Sequence, residues 1–194
     1  IATAMNRALK MHGLPGWETK EYCYLVGNGA KILAQRAVRD RQDLADAVQA
    51  EYQAYYEKHT QVKTQPYDGI PEVLEALKQQ GLKIAVLSNK PDARTHDVIR
   101  DLFGTELFDY VQGQTEKIRR KPCPDGALEI ARVFDVKPEE CLYCGDTNTD
   151  MQTAVAAGMF PIGVLWGFRD RQELLDNGAK VLAEVPADIL KQLR

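Results

Sequence analysis

The chain has 194 residues, 44% hydrophobic and 27% charged, with a net charge of -3. These values fit one good core with a small second module, and the slightly acidic balance excludes a general nucleic-acid binder. No run approaches the roughly 20 apolar residues that span a bilayer, and the polar N-terminus, Ile1 to Arg7, does not read as a secretory signal.

From the N-terminus to Thr64 the pattern is helical. Ala4, Ala8, Leu9 and Met11 share one helical face, which Gly13 and Pro15 end. Gly27-Asn28-Gly29 breaks the pattern, and Ile32, Leu33, Ala37 and Val38 resume it. Asp43 opens a longer helix with Leu44, Val48, Tyr52, Tyr55 and Tyr56 near one face, a stripe that reads as packing. The stretch Lys63 to Pro71, with two prolines, is a joint. It predicts a helical domain over 1–64 and a second domain over 65–194.

After the joint, helices and short apolar strands alternate. Glu72 to Gln80 reads as a helix ended by Gly81, and Ile84 to Leu87 as a strand. Asp92 to Leu102 is a helix, Phe108 to Gln114 a strand and Asp125 to Phe134 a helix. Cys141 to Asp146 is a third strand, Met151 to Ala157 its helix, and Pro161 to Gly167 a fourth strand. Helices over Arg171 to Asn177 and Ala187 to Leu193 close the chain. This alternation predicts an α/β domain whose parallel sheet carries helices on both faces. Cys141 and Cys144 straddle the third strand without a second pair, so they read as packing cysteines, as do Cys23 and Cys123. A reducing, cytoplasmic setting is the matching expectation. His12, His59 and His96 are isolated, and no catalytic histidine is expected.

Ligands of such sheets bind at the carboxyl ends of the strands. There the sequence puts Ser88 and Asn89, then Lys121 in a basic loop before Pro122, then Gly145 and Asp146 with Asp150 one turn further on. A hydroxyl suits a phosphate oxygen. A lysine ammonium suits phosphate and charge developing in a transition state. An aspartate suits Mg²⁺, which takes few protein oxygens. Asp150 either binds the metal, directly or through water, or holds Lys121. Taken singly, each piece has a plainer meaning: Ser88-Asn89 a helix cap, Lys121 a solvated charge, Gly145-Asp146 a turn with a cap. Their convergence favours a site.

These residues carry a resemblance. From Pro66 onward the chain is similar to the haloacid dehalogenase (HAD) superfamily, most of all to its phosphoglycolate phosphatase branch. Ser88-Asn89-Lys90 resembles the second motif of that superfamily, Lys121-Pro122-Cys123-Pro124 the third, and Gly145-Asp146-Thr147-Asn148-Thr149-Asp150 the fourth. Trp166 to Ala179 also looks like this branch, and the helical segment resembles its inserted cap, with Gly27-Asn28-Gly29 where such caps send a loop toward substrate. The resemblance implies a Rossmann-like core with a small all-helical cap. It implies a Mg²⁺-dependent phosphatase of a small phosphorylated metabolite, phosphoglycolate as first choice, working through an aspartyl-phosphate. Ser88, Asn89, Lys121 and Gly29 would bind phosphate or substrate, Lys121 and Asp150 would be catalytic, and Asp146 would hold the metal. Cap closure would exclude water and select the leaving group. A monomer or homodimer is expected.

The resemblance also calls for an Asp-x-Asp-Gly-Thr motif on a first, central strand, and no such motif occurs in the sequence. The expectation is a core lacking that strand, two neighbouring strands with unpaired edges, and a chain inactive by itself. A stretch outside this sequence, or a strand supplied by another chain, would then carry the nucleophile. The competing reading is a catalytically dead module binding phosphate or metal. Within enzymes, a pyrophosphatase or hexose-phosphate mutase is the alternative.

Overall fold

The computed structural model describes residues 1–59 and 64–193. The chain divides into two compact units, Ile1–Thr64 and Gln65–Arg194. Lys63, the first residue of the predicted joint, lies outside the described residues.

The first unit holds four α-helices: α1 (Ala2–Met11), α2 (Tyr22–Leu25), α3 (Ala30–Ala37) and α4 (Ala45–Tyr56). In α1 the buried positions are Ala4, Met5, Ala8 and Leu9, the i, i+1, i+4, i+5 spacing of one helical stripe. Met11, predicted on that stripe, is 53% exposed because it is the last residue of α1, at the end of the helix. Gly13, at a φ of 69°, ends the helix: its N–H bonds to Lys10 O and that of Leu14 to Leu9 O. These side chains pack with Leu33, Ala34, Ala37, Val48 and Tyr52, and each fully buried large one contributes about 1.5–3 kcal/mol. Asn6 fixes the loop after α1, accepting from Trp17 N–H and the Tyr22 hydroxyl while donating to Trp17 O.

The second unit begins with α5 (Ile70–Gln79), entered through Gly69 with Pro71 in its first turn. Then come β1 (Ala85–Pro91), α6 (Asp92–Phe103), β2 (Tyr110–Gln114), α7 (Asp125–Phe134), β3 (Leu142–Gly145), α8 (Asn148–Ala157), β4 (Phe160–Val164), α9 (Arg171–Asp176) and β5 (Val181–Ala183). All strand pairs are parallel, as crossovers through helices require. The order within the sheets is β1-β2 and β3-β4-β5. The described residues thus form two sheets, with β1 and β3 each paired on one side, in line with the expected unpaired edges. Ala85 and Leu87 of β1 and Leu142, Tyr143 and Cys144 of β3 line a cavity of about 1420 Å³, together with Val73 and Leu77 of α5 and Ile130 of α7. Cys144 and Leu142 are exposed, unlike strand positions inside a covered parallel sheet.

Two further expectations change. Pro186–Gln192 is a 3₁₀-helix instead of an α-helix. Asp188 explains its start, accepting N–H bonds from Glu184 and Val185. Strand β5 went unpredicted, because three residues are too short for a period to show. No helix of the described residues is long and apolar enough to cross a membrane.

Candidate active site

Ser88, Asn89, Lys121, Asp146 and Asp150 gather at the carboxyl ends of β1 and β3. Lys121 is their hub. Its Nζ donates to Asp150 Oδ1 at 2.7 Å and to Leu87 O at 3.0 Å, so one ammonium joins the end of β1 to the start of α8. The two side chains are only 14% and 9% exposed. Burial opposes the lysine charge, but Tyr143 and Asp150 outweigh it and hold the group above the usual lysine range. Two of its N–H donors are used in these bonds, and the Tyr143 hydroxyl lies beside the ammonium.

Asn89 sets the backbone of this lysine. Its Oδ1 accepts from Lys121 N–H at 2.9 Å and its Nδ2 donates to Lys121 O at 3.1 Å. The buried amide therefore positions Lys121. Asn89→Leu would leave both backbone groups unsatisfied, at a cost of about 1–3 kcal/mol. Chemical denaturation checks this, and a loss within 0.5 kcal/mol on the order of surface substitutions contradicts it. Ser88 accepts the N–H of Lys90 at 3.1 Å, which shapes the turn and leaves its hydroxyl proton free to donate. Ser88-Asn89 does not cap α6, whose cap position is Pro91.

Asp150 resolves the alternatives left open by sequence. Its Oδ1 is taken by Lys121, and its Oδ2 accepts from Thr147 N–H at 3.1 Å and Thr147 Oγ1 at 2.6 Å. Thr147 caps α8 in return, accepting from Asp150 N–H. Asp150 is thus both the third residue of a capping box and the partner of Lys121. Gly145 makes room for it: a Cβ there would fall on Asp150 Cβ. Burial, then the charge of Asp150, pushes the Asp146 carboxyl above its ordinary range, while Phe168 N–H pulls it back. Its Oδ2 accepts from Phe168 N–H at 3.1 Å. A half-buried carboxylate crowded by another carboxylate is a fitting seat for a divalent cation, which would relieve the repulsion. No group of three or more His, Cys, Asp or Glu among the described residues forms a cage.

Gly29 belongs to the first unit, at the cap position of α3 with a φ of 88°. The sequence reading missed Thr147, Tyr143, Gly167 and Phe168. Thr147-x-x-Asp150 was legible as a capping box. Tyr143, whose buried hydroxyl lies beside Lys121 and Thr153, and the Gly167-Phe168 turn carry no local signal.

A doubly joined lysine, a cation-ready aspartate and a serine hydroxyl at parallel-strand ends define a phosphate-handling α/β enzyme. Residues 1–164 match the family of haloacid dehalogenase-like hydrolases, to which the chain belongs. A phosphoglycolate phosphatase of Thiobacillus denitrificans is 35% identical, aligned with 86% of this chain and 78% of its own length. One of Pseudomonas putida KT2440 is 29% identical over all of this chain and 71% of its own. A crystal structure from Lactobacillus delbrueckii subsp. bulgaricus superposes with a TM-score of 0.90 at 29% identity, covering 97% of this chain and 88% of that one. A phosphatase of a small phosphomonoester is the enzyme class these relatives support.

Proposed function

We propose that this chain provides the phosphate- and metal-holding part of a Mg²⁺-dependent phosphatase, with phosphoglycolate as the first-choice substrate. The observation that carries the reading is Lys121, fixed by Asp150 and Leu87 O beside Asp146. The relatives named as phosphoglycolate phosphatases support the substrate.

The groove between β1 and β3 suits an extended strand with a carboxylate at its end, delivered among Ser88, Lys121 and Asp146. That carboxylate attacks phosphorus, the bond to the leaving oxygen breaks, and a second acid two residues on protonates that oxygen. Water then attacks phosphorus of the aspartyl-phosphate, which releases phosphate and restores the carboxylate. Ser88 Oγ and the Lys121 ammonium hold the phosphoryl oxygens throughout, and Asp150 keeps the ammonium aimed. Asp146 would hold Mg²⁺, which when bound neutralises phosphate charge. The helical unit is assigned the part of a cap selecting the leaving group.

Hydrolysis of p-nitrophenyl phosphate, by the chain with the nucleophile strand supplied, is expected to stop with EDTA and return with Mg²⁺. Activity indifferent to chelation would overturn the metal assignment. A second reading is a binding module without turnover. It predicts phosphate binding and no hydrolysis even with that strand present.

A further inference from the structure

The turn from Trp166 to Arg169 approaches Asp146 more closely than any side chain at position 167 would allow. A Cβ on Gly167 would fall on Asp146 Cβ and lie 2.6 Å from its Cγ, a separation that real Cβ atoms do not tolerate. The next two N–H groups both reach Asp146. Phe168 donates to Oδ2 at 3.1 Å and Arg169 donates to the backbone carbonyl at 3.1 Å. Among the described residues, Oδ1 accepts no hydrogen bond. The turn therefore occupies one carboxylate oxygen and the backbone, and both Asp146 and Gly167 line the cavity.

The turn is itself anchored. The Arg169 side chain is 9% exposed, and its Nε donates to Glu173 Oε1 at 2.9 Å. Glu173 sits in the first turn of α9, where its N–H bonds to the capping Asp170 at 2.9 Å. The chain of support runs from the start of α9, through Arg169, to the backbone and one oxygen of Asp146.

We infer that the Gly167-Phe168-Arg169 turn, anchored by Glu173, is a positioning element that presents Asp146 Oδ1 alone to a divalent cation. This rests on the reading of Asp146 as the metal aspartate and adds to it the groups that hold that aspartate. Hydrogen-bonding partners behind a metal ligand commonly change affinity by about 10–100-fold when removed. Gly167 achieves the effect sterically, because only glycine lets the backbone come close enough for Phe168 N–H to reach Oδ2.

The test is Mn²⁺ affinity of the full chain by calorimetry, with thermal unfolding in EDTA as the fold control. Gly167→Ala is expected to weaken Mn²⁺ binding by about 10–100-fold. Glu173→Gln, which weakens the Arg169 anchor without touching Asp146, is expected to weaken it by at least about threefold, with little change in unfolding temperature. Gln172→Ala, on the exposed side of α9, should leave it unchanged. Asp146→Asn separates the two levels. If Asp146→Asn binds Mn²⁺ as the unmodified chain does, or the unmodified chain binds none, the metal reading itself falls. If Asp146→Asn loses binding while Gly167→Ala and Glu173→Gln keep it within twofold, the positioning inference alone is overturned. Should Gly167→Ala fail to fold, Glu173→Gln decides by the same criterion.

Discussion

Lys121→Met is expected to lower turnover of the strand-complemented enzyme by about 10²–10³-fold and stability by about 3–5 kcal/mol. The first effect follows from losing the charge that meets the phosphoryl oxygens. The second follows from Asp150, which is 9% exposed and would lose its cationic partner and keep only Thr147. Removing one partner of a buried pair costs more than removing both. Lys121→Met/Asp150→Asn should therefore be more stable than Lys121→Met alone, because the amide carries no charge and still accepts from Thr147. It should regain no activity. Urea denaturation of the two single variants and the double variant measures the coupling, and additive losses would contradict the pairing. The pH dependence has a definite sign. The folded-state pKa of Lys121 lies above its unfolded value, so its contribution is complete below an ordinary lysine pKa of about 10.4. It is lost only as pH rises further toward the folded value.

Gly145→Ala should damage stability and activity together. Gly145 ends β3 and pairs with Gly163 of β4, so its backbone cannot retreat without breaking the ladder. The added Cβ falls on Asp150 Cβ. Asp150 would have to move, which breaks its bonds to Lys121 and Thr147 together. A destabilisation of at least about 1–3 kcal/mol is expected from overpacking, with turnover falling toward that of Lys121→Met. A protein with Gly145→Ala that keeps full activity and stability would show that Asp150 need not stay where it is.

The site was more legible than the architecture around it. Ser88 and Asp146 stood out as polar residues at the end of apolar runs, Lys121 as a charge in a basic loop before Pro122, and Asp150 by its spacing of one turn from Asp146. Asp150 was left between binding a metal and holding Lys121, and in the structure one of its oxygens goes to Lys121 and the other to Thr147. The ending of α1 at Gly13 was readable, since positive φ and a breaker coincide there. Met11 was misplaced because it shares the face of Ala4 and Ala8 but is the last residue of α1, at the end of the helix. Strand β5 is shorter than its own period. The turn that seats Asp146 was invisible because closeness between Gly167 and position 146 is a tertiary fact, with no spacing rule behind it. Asn89 was expected to face substrate, yet its amide is spent on the Lys121 backbone, a pairing across 32 residues that no local pattern announces.

The most direct measurement compares phosphatase activity of this 194-residue chain with that of the same chain carrying an N-terminal designed strand ending in Asp-x-Asp-Gly-Thr, on p-nitrophenyl phosphate and phosphoglycolate. Mg²⁺-dependent phosphate release by the strand-bearing protein, absent without the strand and lost with Lys121→Met, is the expected result. Equal hydrolysis by both proteins, or a folded strand-bearing protein that binds phosphate and turns over neither substrate, would contradict the proposed phosphatase.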